Sequence, residues 1–212
     1  MKPGTFMSNR KFPIVLGLML MAVLLFAGQS IAKMSAEEVD ASVDAALERF
    51  YKQVKDAKEV VRQAKGMLIL PNVKKGALIV GGEYGQGAMR IGGKTVEYYS
   101  MFAGSVGLQI GGQAKDIIIA FNSDDALKKF RESKGWEAGV DGNVALIKVG
   151  AGESAMTAMS KEPIAAFVFD VKGLMADMSL KGAKFSKLNL PAASCGVSFK
   201  VKFIVSHQAA GN

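Results

Sequence analysis

The sequence predicts an α+β fold: an N-terminal amphipathic helix or helix pair packed on a glycine-rich, strongly curved antiparallel β-sheet or small barrel. Three observations predict it. Apolar residues recur at spacings of three and four between residues 39 and 64, the period of a helix with one buried face. From residue 67 onward they fall instead into short runs of strand length. Glycines then punctuate those runs at close intervals, as hairpins, bulges and curved sheets require.

The first segment, residues 1–32, reads as a signal peptide. Lys2, Arg10 and Lys11 form a positive start, residues 14–26 are apolar apart from Gly17, and Ser30-Ile31-Ala32 has the small-x-small pattern of a cleavage site. Cleavage there makes Lys33 the mature N-terminus, although the apolar run is long enough to serve as an uncleaved anchor. The charge pattern of the leader suits an exported bacterial protein, periplasmic or peripheral on the envelope membrane.

Residues 33–66 form the helical segment. Ser35 and Glu38 make a capping box. Val39, Val43, Leu47, Phe50, Val54, Ala57, Val61 and Ala64 trace the buried stripe of a long helix, bent or split near residues 54–58. Its charges are segregated: Glu37, Glu38, Asp40, Asp44 and Glu48 precede Arg49, Lys52, Lys55, Lys58, Arg62 and Lys65. That order complements the helix macrodipole, and it equally provides a basic half-helix for an anionic bilayer.

Residues 67–190 form the β-rich body. A strand over 67–70 is expected to stop at Pro71, with a turn over 72–76 carrying Lys74 and Lys75 before a strand over 77–80. Further strands are expected at 96–102, 106–110, 117–121, 144–149, 164–171 and 175–180. One short helix, capped by Ser123 and started by Asp124 and Asp125, interrupts them. Residues 191–212 are a C-terminal strand and tail, and Val197, Phe199, Val201 and Phe203 alternate with polar residues as in a half-buried or edge strand.

The chemistry-bearing residues are few. Cys195 is the sole cysteine and His207 the sole histidine, so an internal disulfide, a conventional zinc site and a well-supported catalytic triad are all missing from the composition. The glycines at positions 81, 82, 85 and 87 invite a phosphate-loop reading. No helical stripe follows them and no Lys-Ser/Thr pair closes them, so no nucleotide, metal or other cofactor is expected. Asp124-Asp125 reads as helix-start electrostatics, and the 12 methionines as ordinary core filling. The formal net charge of +8 favours anionic partners, but without the dense basic and aromatic clusters of a nucleic-acid binder.

Several blocks resemble the SYLF domain family. They are AKGMLILPNVKKGALIVGGEYGQGAM, SVGLQIGGQAKDIIIAF with DDALKKF, GVDGNVALIKVGAGE after Trp136, and PIAAFVFDVKGLMADMSLKGAKFSKL. The resemblance implies an N-terminal helical segment on a compact β-rich body, with lipid binding as the shared activity and actin association in eukaryotic members. The expected function is therefore a non-enzymatic lipid-binding module of the bacterial envelope. Two basic groups are the candidate contacts for anionic lipids or a membrane surface: Lys52, Lys55, Lys58, Arg62, Lys65, Lys74 and Lys75, then Lys172, Lys181, Lys184 and Lys187. The alternative is a structural or assembly protein that binds an envelope protein partner, with actin binding suggested by the family label alone.

Overall fold

A computed structural model of the chain describes residues 34–77, 80–106, 113–148, 154–172 and 179–190. The predicted signal peptide, the expected C-terminal strand at 197–203, Cys195 and His207 lie outside these residues, as do residues 107–110 and 175–178 of two expected strands. The described part is an α+β fold of four helices and one curled, mixed eight-stranded sheet.

Helix α1 spans Ala36–Gln53 and begins with the predicted capping box: Glu38 N–H donates to Ser35 Oγ at 3.3 Å and Ser35 N–H to Glu38 Oε2 at 2.8 Å. It ends at Val54. Asp56 then adopts a left-handed conformation (φ 61°) and α2, Ala57–Gln63, sets off on a new course. The predicted long helix is thus split where its bend was expected. Its buried stripe is Val39, Val43, Ala46, Phe50, Val54, Ala57 and Val60. Ala46 and Val60 take the places expected for Leu47 and Val61, because helical turns of 3.6 residues drift against a regular spacing and the break resets the face.

The strands are β1 (Gly66–Ala77), β2 (Val80–Ile91), β3 (Lys94–Val106), β4 (Gln113–Phe121), β5 (Trp136–Glu137), β6 (Ala145–Lys148), β7 (Ile164–Lys172) and β8 (Lys184–Leu188). Helix α3 spans Asp124–Glu132 and α4 spans Ala155–Ser160. Their order across the sheet is β5-β8-β3-β2-β1-β4-β7-β6. All neighbours are antiparallel except β6 and β7, which run parallel. The parallel pair is possible because α4 supplies a crossover between them.

Strand β1 corrects one expectation. Pro71 does not end it; the strand continues through residues 72–76, where a turn was expected, to Ala77. Pairing with β4 shifts register between Leu70 and Val73, so Pro71 and Asn72 sit in a bulge where a missing N–H breaks no ladder bond. Asn72 takes a positive φ of 48° there, and its N–H donates to Asp116 Oδ1 at 2.8 Å. The glycine-rich segment is likewise strand. Gly87 on β2 crosses so close to β1 that a Cβ would overlap the Ile69 carbonyl.

The sheet buries apolar side chains on both faces. On the inner face, Leu68, Leu70, Met89, Tyr99, Met101, Ile117, Ile119, Phe121, Val168 and Phe185 join Phe130 of α3 and Trp136 of β5 in one cluster. Strands from both ends of the sheet contribute to that single cluster, which is what curls the sheet into a half-barrel. Phe130 packs on Tyr99, Phe121, Trp136 and Phe185 with ring centroids 4.9–5.9 Å apart. On the outer face α1 lies across β1, β2 and β7. Its fully buried Phe50 meets Phe167 and Phe169, each at 5.3 Å between centroids. Burying such a ring contributes about 1.5–3 kcal/mol, and each aromatic pair about 0.5–1.5 kcal/mol more.

Candidate functional site

The two halves of the N-terminal helical segment are used differently. The acidic half docks on the sheet. Asp40 accepts hydrogen bonds from Thr95 Oγ1 and Tyr98 OH, both at 2.8 Å, and Asp44 Oδ1 lies 2.7 Å from Arg90 Nη1. Burial and the bond to Asp40 push the Tyr98 hydroxyl up to about 12. Arg49 is also structural: its guanidinium lies 2.7 Å from Asp116, which is 1% exposed, and 3.3 Å from Asp170. The basic residues that follow are exposed instead.

Lys52, Lys55 and Lys58 line one shallow depression of about 480 Å3 at the corner between α1 and α2, together with Tyr51, Asp56 and Glu59. Asp56 is engaged elsewhere, accepting from Ser154 Oγ at 2.6 Å. Among the described residues, Lys52, Lys55, Lys58 and Arg62 form no ion pair, whereas Lys65 approaches Asp124 at 3.8 Å. The corner therefore gathers three exposed ammonium groups because the left-handed Asp56 turns α2 away just as the charge sign changes.

The remaining predicted contacts are not brought into one patch. Lys74 is exposed on β1. Lys75 is not available at the surface: it is 7% exposed and points to Glu83, at 3.6 Å. It was expected on a turn, and the continuation of β1 through the bulge turns its side chain inward. Lys172 pairs with Asp170 at 3.3 Å, Lys184 with Glu137 at 3.4 Å, and Lys187 with Glu97 at 2.8 Å. Lys172 ends β7 and the other two sit on β8, with β3, β2, β1 and β4 between them in the sheet. Lys181 is exposed beside Gly139.

Two charged clusters were not anticipated. Glu97 accepts from Tyr99 OH, Arg131 Nε and Lys187 Nζ at 2.8–2.9 Å. Burial would raise its pKa, but those three donors outweigh burial and hold it at about 2. Burial and the bond to Glu97 in turn raise the Tyr99 hydroxyl. The second cluster joins Lys75, Glu83 and Lys115 inside the half-barrel. Sequence spacing hid both, since each brings together residues from three separate elements: β3, α3 and β8 in the first, β1, β2 and β4 in the second. A lysine set among apolar strand residues, as in QAKDIIIAF, was the available signal.

Among the described residues, no group of three His, Cys, Asp or Glu side chains is placed to hold a metal ion, and no helix is long and apolar enough to cross a membrane. What the geometry defines is a small α+β domain: a curled sheet filled on its inner face, roofed on the other by a helix whose basic end stays open. Residues 102–189, from β3 to β8, match the family model described as Ysc84, Las17-binding protein actin regulator, as a member of the SYLF domain family does. The α1–α2 corner lies ahead of the matched residues. No curated protein matches the chain.

Proposed function

We propose that the chain is a non-enzymatic lipid-binding module of the bacterial cell envelope, with Lys52, Lys55 and Lys58 as its principal contacts to anionic headgroups. The observation that carries this reading is the α1–α2 corner. Helix electrostatics alone explains why acids precede bases, but it does not require three ammonium groups around one depression, none of them in an ion pair among the described residues, where Arg49, Arg90, Lys172 and Lys187 are each paired. The SYLF-type match supports a binding role over catalysis. Arg62, Lys65 and Lys74 are secondary contacts, and Lys181 stands apart from them.

Liposome co-sedimentation tests this directly. Each lysine at an anionic surface is worth about 1 kcal/mol, so reversing all three to Glu weakens binding by at least about two orders of magnitude. The salt dependence flattens at the same time. These positions are off the buried stripe, so circular dichroism stays native. Unchanged binding by the natively folded triple variant sinks the proposal. Export is checked separately: the intact mass of the exported protein should begin at Lys33, and retention of residues 1–32 would favour the anchored form.

A second reading, an assembly role with an envelope protein partner, draws on Phe102 of β3, which is 56% exposed. Phe102→Ser would then disturb a protein contact while leaving liposome binding intact. Actin association belongs to this reading through the family description alone.

A further inference from the structure

We propose that the inner face of the half-barrel contains a binding site for a singly charged oxyanion, built from Lys75 of β1, Glu83 of β2 and Lys115 of β4. The site does not depend on the surface lysines of the α1–α2 corner. Lys115 is 1% exposed, Lys75 7% and Glu83 5%. Lys115 Nζ lies 2.8 Å from Glu83 Oε2, and Lys75 Nζ lies 3.6 Å from Glu83 Oε1. Among the described residues, Glu83 is the one carboxylate within ion-pair distance of either lysine.

Two ammonium groups thus share a single carboxylate in a setting where unpaired charge is strongly unfavourable. Hydrogen bonding is also incomplete. Each ammonium carries three donors. Among the described residues, Lys115 Nζ and Glu83 Oε2 are buried without a hydrogen bond of acceptable geometry, and 3.6 Å is too long for one from Lys75. The cluster needs one negative charge and additional acceptor oxygens. A monoanion with two or more oxygens, such as a phosphodiester or a carboxylate, supplies both. A dianion overshoots the balance because Glu83 already neutralises one lysine. Glu83 therefore acts as the determinant of ligand charge.

Titration calorimetry on the full chain tests this with soluble probes: dimethyl phosphate and acetate as monoanions, methyl phosphate at pH 8 as the dianion. Saturable monoanion binding is expected, several-fold tighter than for the dianion. Lys115→Met balances Lys75 against Glu83 and should lose monoanion binding by at least tenfold. Glu83→Gln should reverse the preference in favour of the dianion. Phosphatidylglycerol vesicles separate the sources: a vesicle defect in Lys115→Met identifies a lipid headgroup as ligand, and loss of soluble-probe binding alone identifies a free anion. The site is overturned by absence of saturable binding to the wild type, by equal binding in natively folded Lys115→Met, or by an unchanged charge preference in Glu83→Gln. Should Lys115→Met fail to fold, Lys75→Met makes the same comparison.

Discussion

Gly87 lacks a side chain because the sheet leaves no room for one. A methyl group would strike the Ile69 backbone, which cannot swing aside as a flexible side chain can, whereas one at Gly104 meets nothing within 4 Å. Gly87→Ala should therefore destabilise by about 2 kcal/mol or more. Gly104→Ala should stay within about 0.5 kcal/mol of the wild type in urea unfolding. Glu97 yields a pH prediction. Its folded pKa of about 2 lies below its ordinary 4.5, so its contribution is fully present above 4.5 and is lost as pH falls from there through about 2. The stability gap between wild type and Glu97→Gln should accordingly be wide at pH 7 and narrow at pH 3. A gap independent of pH would mean that the bonds from Arg131, Lys187 and Tyr99 do not favour the ionised form.

At the scale of elements, the docking of α1 rests on Phe50 and on the Arg49–Asp116 pair. Asp116 also holds the β1 bulge through the Asn72 N–H, so one carboxylate fixes a helix and an irregular strand together. Arg49→Met strands that buried charge and should cost about 3 kcal/mol, with Asp116→Asn in the same chain recovering part of the loss. Urea midpoints of the two single variants and the double variant measure this.

The helical half was legible from sequence because capping, periodicity and charge order all act within a few residues. Strand β1 was not. Pro71 announces an end, and only a side chain from β4 makes the bulge that carries the strand past it. Strands β5 and β8 and helix α4 escaped notice for a related reason: each is short, and β8 buries a single large apolar residue, Phe185, among polar neighbours. The basic corner could be read from α1 and α2 alone. The inward turn of Lys75 could not, since its partners arrive from β2 and β4.

For the molecule as a whole, Trp136 is a natural reporter. It is the sole tryptophan, is 3% exposed, and packs on Phe130 and Phe185 at the sheet's far end. If the half-barrel unfolds as one cooperative unit, the red shift of its emission should coincide with loss of far-ultraviolet dichroism; separated midpoints would show that β5 and β8 peel away first. Most strand pairing joins distant parts of the sequence, so refolding should occupy milliseconds to seconds in stopped-flow fluorescence.

The order of the strands has one more consequence. The two outermost strands, β5 and β6, have two and four residues and are joined by the short stretch between Glu137 and Ala145. An open sheet usually invites other chains to extend it, and long, flat, apolar margins are where fibrils and swapped dimers begin. Among the described residues each margin is brief, and both are tethered by the same loop. Among the described residues β8 runs on past β5 over residues 186–188, and Lys187 places a charged side chain beside that stretch. Lys187, a candidate lipid contact in the sequence, thus stands on the stretch of the sheet margin that β5 leaves uncovered among the described residues.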